Sequence, residues 1–387
     1  MNFPVVGVIG GGQLARMMQQ AAIGLGIELR VLAARPDDPA AQVIPGTVLG
    51  DHHDFEALKA FAAECDVITF DHEHVPTGYL HKLQEAGIAV HPTPDALVHA
   101  QDKGVMRERL AALGLPCPVW TRVSTPDDLV SFGERAGWPY VLKAARGGYD
   151  GRGVWVVDDL AEARAVWDGA QGGGVQGGGV QLIAEQKVDF VRELSAQVAR
   201  SLHGQAAAYP VVETVQIDGI CREVYVPAPG LSDERATEAQ WIALEIAKGL
   251  GVTGMLAVEM FETRTGDLLV NELAMRPHNS GHWSMDGCVT SQFEQHLRAV
   301  LDLPLGDVHP NAPVVVMANV LGLDLPEVYP AYLHVLAHDP GVKVHMYGKA
   351  VQPGRKIGHV NVAGTDFDDC VERARHAAAY LRGEINE

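Results

Sequence analysis

The sequence has no apolar run approaching the ~20 residues that span a bilayer, so no membrane-crossing helix is expected. Basic residues are scarce: 30 Lys and Arg stand against 49 Asp and Glu, a formal charge of −19. With no basic block, the chain does not read as a nucleic-acid binder. Cysteine is sparse too. Cys65, Cys117, Cys221, Cys288 and Cys370 are scattered without paired spacing, which fits neither a zinc site nor a disulfide framework and suits a reducing cytosol. The N-terminus lacks a basic leader and a cleavage site. These absences predict a soluble, cytoplasmic protein. What is present is ordinary for a globular chain, 47% apolar and 20% charged, and 387 residues suffice for two or three domains with cores of their own.

Val5–Ile9 reads as a buried strand, followed by Gly10-Gly11-Gly12, an amphipathic stretch to Leu25 and a strand Glu28–Leu32. This opens a doubly wound α/β domain that closes near residue 98. The glycines fit a dinucleotide fingerprint, but the acidic residue that would hold a ribose at the end of the second strand is missing; the strand runs out in Val31-Leu32-Ala33-Ala34. Nicotinamide binding is not expected, though such a turn can hold another phosphate. Val67–Phe70 is a further strand, and Asp71-His72-Glu73-His74 follows at its C-terminal end, where open α/β sheets place ligand contacts. A zinc site shared with Asp51-His52-His53-Asp54 would want the i, i+4 histidine spacing of hydrolytic zinc motifs, which neither cluster has. Solvated loop ends, or one substrate contact from Glu73, are the plainer reading.

Asp102–Leu113 is a charged helix carrying Lys103, and a second, α+β region runs from about Val119. Lys143 ends the otherwise apolar strand Tyr140-Val141-Leu142-Lys143. Then come Arg146-Gly147-Gly148-Tyr149-Asp150-Gly151-Arg152-Gly153 and a second strand, Val154–Val157. This is no P-loop, since no Gly-Lys-Ser/Thr is present and no helix follows. The glycines can still lay backbone N–H groups against phosphates, with Lys143 supplying charge; a mobile hairpin tip is the bland alternative. Gln171–Gly179 is a short duplicated glycine-rich segment, simplest as a surface loop. Val180–Ala184 resumes as a strand and leads into Glu185-Gln186-Lys187-Val188. Arg192-Glu193-Leu194-Ser195 then runs toward a strand at Gln197–Arg200, and a long helix covers about Ser232 to Leu250.

Met255–Phe261 and Leu268–Leu273 flank Thr263-Arg264-Thr265-Gly266 and read as a β-hairpin. If those four residues form the loop, Glu262 pairs with Asp267 and Glu259 falls opposite Val270. Glu272 then shares the face of Glu259 as a diagonal neighbour ~7 Å away. At an effective dielectric of ~20 the two carboxylates repel by roughly 2 kcal/mol, which a cation between them or a wet site would relieve. Asn271 points to the other face unless the strand twists or bulges there. Arg276, His278, Asn279, Ser280 and His282 follow closely. Hard oxygens beside that polar run point to magnesium carrying phosphates, against a solvated edge hairpin as the alternative. Beyond a helix at Ser291–Leu301, Pro304 and Pro310 mark a boundary. A small region of about 306–387 then holds a strand at Val314–Asn319 and a helix at Asp368–Leu381. Lys349, Arg355 and Lys356 lie around Gly354 in an acidic chain, a loop suited to an anionic substrate group or simply a basic surface loop.

The order of these pieces resembles the ATP-grasp superfamily. More narrowly, nearly the whole chain resembles the 5-(carboxyamino)imidazole ribonucleotide synthases, through Gly147–Gly153, Asn271-Glu272-Leu273-Ala274, His278-Asn279-Ser280-Gly281-His282, Ser291-Gln292-Phe293-Glu294 and Gly354-Arg355-Lys356-Ile357-Gly358-His359. The resemblance implies a fold of three parts. A biotin-carboxylase-like pre-ATP-grasp α/β domain would cover 1–98, an ATP-grasp domain 99–305 with a lid at about 119–190, and a small C-terminal domain 306–387, usually in a homodimer. It implies ATP-dependent, ADP-forming carboxylation of 5-aminoimidazole ribonucleotide by bicarbonate through carboxyphosphate, with Mg²⁺ or Mn²⁺. Lys103 and Lys143 would hold phosphates under the lid residues Gly148, Tyr149, Asp150, Gly151, Arg152 and Gly153. Glu185, Gln186, Lys187 and Val188 would line the adenine cleft, Glu193 would take the ribose, and Glu259 and Glu272 the metal, assisted by Asn271. Arg276 with Asn279, Ser280 and His282 would surround bicarbonate; Glu73, Tyr149, Lys349, Arg355 and Lys356 would hold the ribonucleotide. Arg276, Asn271 and Lys356 are the expected catalytic groups.

The chain departs from the family pattern at Asp71-His72-Glu73-His74, at Lys103 where arginine is frequent, at Met275 before Arg276, and at Gln216, where a nucleotide-contacting histidine is common. Glycinamide ribonucleotide synthetase, a formate-dependent transformylase and a nucleotide-binding regulator without turnover are the competing readings.

Overall fold

The computed structural model describes residues 3–148, 153–172, 179–323 and 327–385. At the N-terminus a parallel sheet orders its strands Gly46–Leu49, Glu28–Ala33, Val5–Ile9 and Val67–Phe70. Both faces are covered, as parallel strands require, so these strands read as continuous apolar runs. Val6, Val8 and Val31 pack with Leu14 and Met18 on one face. Ile9, Leu32, Ile68 and Phe70 pack with Leu58, Phe61 and Leu80 on the other. The C-terminal ends of the central strands carry the Gly10–Gly12 turn and Asp71–His74 side by side.

A second sheet of four antiparallel strands runs in the order Trp120–Val123, Leu182–Gln186, Tyr140–Ala144, Val154–Val157. The helices Pro126–Ala136 and Leu160–Gly172 close its outer face over Leu129, Phe132, Tyr140, Leu142 and Ala163. The strand expected at Val180–Ala184 spans Leu182–Gln186 instead, so Glu185 and Gln186 are strand residues. The helix Leu160–Gly172 enters the glycine-rich segment; 173–178 lie outside the described residues.

The third sheet is antiparallel throughout and has nine strands, in the order Leu268–Ala274, Gly254–Thr263, Phe190–Arg200, Val212–Ile217, Ile220–Val226, Val314–Leu321, Lys356–Gly364, Lys343–Met346, with Ala206–Ala208 beside Phe190–Arg200. Phe190–Arg200 forms one strand of 11 residues, longer than the expected Gln197–Arg200. Its polar first half hid it: Arg192 pairs there with Glu262 and Glu213 on both neighbouring strands. The C-terminal segment has its own core around Val316, Val335, Val360, Ala374 and Leu381. Its strands nevertheless extend this same sheet, through Val314–Leu321 on Ile220–Val226. Register shifts interrupt the sheet at Val215/Gln216, Glu259/Met260, Glu262/Thr263 and Val320/Leu321. The helix Asp233–Gly249, capped by Ser232, covers one face of the sheet.

Candidate functional site

The hairpin departs from its expected register in a way that builds the site. Glu262 pairs with Leu268, and Asp267 belongs to the loop, where its carbonyl accepts from the Thr263 N–H. Between Met260–Val270 and Glu259–Glu272 the register shifts by one, leaving Asn271 as the extra residue of a bulge. Glu259 is therefore directly opposite Glu272, rather than Val270, and Asn271 is no longer committed to the far face. Both side chains meet lysines: Lys103 Nζ donates to Glu272 Oε1 at 2.8 Å and Lys143 Nζ to Asn271 Oδ1 at 2.9 Å.

Two carboxylates directly opposed at about 5 Å repel by roughly 3 kcal/mol at an effective dielectric near 20. Lys103 engages Glu272, and Glu259 bears the consequence. Burial, then Glu272 and Glu193, push its carboxyl up to about 8, so it is mostly protonated at neutral pH. His278 lies 3.6 Å from it but gives no countercharge, because burial, helped by Arg276 and Lys356, holds that imidazole down at about 3. Glu193 is pushed up to about 6 by burial. Two acids whose proton affinity is raised by burial, beside Glu272, fit a divalent cation bound through oxygen.

These groups line one cleft of about 930 Å³ between the second sheet, the nine-stranded sheet and the N-terminal domain. Of the expected residues it gathers Glu73, Lys103, Lys143, Gly148, Glu185, Gln186, Lys187, Val188, Glu193, Gln216, Glu259, Asn271, Glu272, Arg276, Asn279, Ser280 and Lys356. Phe190 and Phe261, stacked with centroids 4.6 Å apart, join Val141, Val188 and Leu273 in an apolar end suited to a flat base. Arg276 donates to Glu73 at 2.7 Å, so two residues given separate roles act as one unit.

Several expected residues are placed otherwise. Tyr149, Asp150, Gly151 and Arg152 lie outside the described residues, and Gly153 is not among the residues that line the cleft; its carbonyl accepts from Ala144 N–H. Glu185 lines the cleft, but its carboxylate is engaged by the protein's own cations. It is buried between Arg107 and Lys143 at 2.7 Å each; burial opposes its charge, but the two cations hold it well below the ordinary range. His282 does not reach the cleft: the turn Asn279–Gly281 sends it backward against Phe293 and His359, where Gln292 meets its Nδ1 at 2.8 Å. Asn279 and Ser280 line the cleft but are tied to the scaffold, Asn279 by a double amide contact with Asn319, Ser280 by Ser195, Gln197 and His278. Of the basic C-terminal loop, Lys356 alone lines the cleft. Lys349 lies over the Tyr347 ring at 5.7 Å, near enough to Asp71 to favour its charge, and the Arg355 carbonyl accepts from Gly322 N–H. The glycine turn offers no seat for a phosphate either. The Asp71 carboxylate fills it, accepting from Ala15 N–H at 2.8 Å, and a Cβ on Gly12 would lie 2.0 Å from Asp71 Oδ2.

One functional residue escaped the sequence reading. Arg107 is fully buried beneath the cleft floor, bonded to Glu185, to the Val270 carbonyl at 2.8 Å and to the Asn271 carbonyl at 2.7 Å. It fixes both the bulge and the partner of Lys143. Its one sequence signal is the i, i+4 spacing from Lys103, which exposed helical arginines share.

A bulged carboxylate hairpin and two lysines from separate elements, around a cleft roofed by a small antiparallel sheet, define the ATP-grasp ligases. The ATP-grasp domain family matches residues 108–293, the ribonucleotide synthetase preATP-grasp domain 3–101, and the phosphoribosylaminoimidazole carboxylase C-terminal domain 315–373. The N5-carboxyaminoimidazole ribonucleotide synthase of Mycobacterium tuberculosis is 56% identical over 381 residues, covering 98% of this chain and 88% of that one. Among solved structures, the Thermus thermophilus N5-carboxyaminoimidazole ribonucleotide synthetase aligns with a TM-score of 0.86 at 37% identity over 99% of both chains. The Aspergillus clavatus enzyme in complex with ADP and 5-aminoimidazole ribonucleotide aligns at 0.88 and 32% identity, over 99% of this chain and 100% of that one. The chain belongs to the N5-carboxyaminoimidazole ribonucleotide synthase family.

Proposed function

We propose that the protein is an ADP-forming carbon–nitrogen ligase that carboxylates 5-aminoimidazole ribonucleotide with bicarbonate and ATP, a step of purine biosynthesis. The observation that carries this reading is the bulge that turns Asn271 and Glu272 toward two lysines, with Glu259 opposite. The base of ATP fits between Val141, Val188, Phe190, Phe261 and Leu273, with the Gln186–Val188 backbone along its edge and Glu193 at the ribose. Lys103 and Lys143 then stand at the phosphates. Glu259 and Glu272, beside Asn271, would hold Mg²⁺ or Mn²⁺, which would supply positive charge to offset that of the phosphates. A bicarbonate oxygen attacks the terminal phosphorus, and the bond to ADP breaks. The carboxyl carbon of the resulting carboxyphosphate passes to the exocyclic amine, directly or as CO₂, and phosphate leaves. No side chain acts as nucleophile; Arg276, braced by Glu73, and Lys356 stabilise the developing oxyanions. A closing lid would keep water from carboxyphosphate. The homodimer and the assignment of Lys349, Arg355 and Tyr149 to the ribonucleotide rest on the family resemblance; the division near 98 and 305 and the cytoplasmic location rest on the sequence reading.

ADP release measured with each substrate omitted in turn tests the reaction. It is expected to need both bicarbonate and aminoimidazole ribonucleotide. Release driven by glycine or formate in their place would transfer the chain to another ATP-grasp ligase.

Metal uptake should be linked to protons. A carboxyl poised at about 8 gives up its proton when the cation binds. Below that pH, apparent Mg²⁺ affinity should fall about tenfold per pH unit, and near neutrality close to one proton should be released per site. Calorimetry in buffers of different ionisation enthalpy reads this number; a value of zero would remove Glu259 from the metal.

A further inference from the structure

Far from the cleft, the two helices of the C-terminal segment share a group of imidazoles. His334 and His338 stand one turn apart on the helix Ala331–His338, and His376 meets them from the helix Phe367–Arg382. Ring centroids are 5.5 Å apart for His334–His338, 5.2 Å for His334–His376 and 4.1 Å for His338–His376. One nitrogen from each ring can be chosen so that all three lie within 4.8 Å of one another. The Tyr380 ring stacks on His334 at 3.8 Å and 7°, fixing that imidazole from behind. His334 Nε2 is buried and meets no hydrogen-bond partner among the described residues, an orphan that calls for an explanation. The ligase chemistry uses none of these groups.

We propose that His334, His338 and His376 form a site for a divalent transition metal of the zinc class, joining the two helices. Three imidazoles without a carboxylate are the wrong donors for magnesium or calcium and the right ones for zinc, nickel, cobalt or copper. Nitrogens bonded at roughly 2.0–2.1 Å to a tetrahedral centre stand about 3.3 Å apart, so the rings need to close by about 1.5 Å. Side-chain rotation supplies that on a lightly anchored helix: Val335 is its one fully buried residue, and Leu333 is 84% exposed. A metal bond at His334 Nε2 would supply its missing partner, and water would complete the coordination. Bound metal would pin the helix Ala331–His338 to the longer one.

The test uses the full chain stripped with EDTA, its carboxylate site saturated with Mg²⁺, and titrated with Co²⁺, followed by visible absorption and calorimetry. The expected result is one equivalent bound with nitrogen–oxygen ligand-field bands and no thiolate charge-transfer band. Affinity should weaken at least about tenfold in His334→Ala and in His376→Ala, and stay unchanged in His53→Ala. That last variant alters the second histidine group, Asp51, His52 and His53, whose rings approach His72. Zn²⁺ should raise Tm in the parent chain and not in His376→Ala; unchanged turnover with MgATP shows that the His334 and His376 variants fold. Co²⁺ binding that survives both first substitutions, disappears with His53→Ala instead, or is absent at micromolar metal would overturn the proposal.

Discussion

Glu272→Gln is expected to cut ADP formation by about three orders of magnitude or more, with the fold intact. One oxygen becomes an amide nitrogen, yet two things are lost together. The hairpin gives up half of its charge for the cation, and Lys103 loses the carboxylate that now holds it at 2.8 Å. The remaining acid does not compensate. Without Glu272 opposite, Glu259 ionises more easily, since that repulsion is the largest influence on it after burial. A lone carboxylate across a bulge still leaves the cation unclamped on one side. Stability should change little, because Glu272 keeps 39% of its side-chain surface and sits at an edge strand. Steady-state ADP release beside circular dichroism separates the two effects. Turnover within about tenfold of the parent would end the metal assignment.

The second large effect concerns stability. Arg107→Met should lower the unfolding free energy by about 3 kcal/mol and also abolish most turnover. Methionine fills a similar volume, so little of the loss would come from a cavity. The loss comes from what the guanidinium leaves behind: a buried Glu185 with Lys143 as its remaining cation, and two bulge carbonyls, of Val270 and Asn271, without a donor. Lys143 would then be drawn toward Glu185 and away from Asn271. Urea unfolding reads the first effect as a lower midpoint with an unchanged slope. A variant as stable as the parent would show that the arginine is dispensable under the cleft. Removing both charges, in Arg107→Met with Glu185→Met, should recover only part of the stability, since the Val270 and Asn271 carbonyls stay without a donor, and none of the turnover, which separates the structural role from the positioning one.

How far the sequence could be read followed from the range of each interaction. Local signals carried the hairpin, the strand–glycine loop–strand unit and the long helix from about Ser232 to Leu250. A bulge at Asn271 could be named as a possibility but not placed, because only the pairing of the two strands reveals the extra residue. Phe190–Arg192 went unread as strand because Arg192 is neutralised by two residues distant in sequence, Glu213 and Glu262. Glu185 was expected to line the adenine cleft; the burial of its carboxylate between two cations depends on a helix 78 residues away. His282 stood in the most specific polar run of the chain, yet a short 3-10 turn decides which way it points. Motif spacing brought the right residues to the right region, and tertiary contacts assigned their directions.

The nine-stranded sheet carries a consequence for engineering. Five neighbour steps separate the strand of Glu259 from that of Lys356, and at about 4.8 Å per step a flat sheet would hold them some 24 Å apart. Yet both line one cleft, and Lys356 acts on the Glu259 carboxyl. The sheet must curl into a trough, and its four register shifts are where such strands bend. Curvature is thus a working dimension of this enzyme. Deleting one residue at Val215/Gln216 would straighten the trough and pull its rims apart, disabling the chemistry while every reactive side chain stayed in place on its own strand.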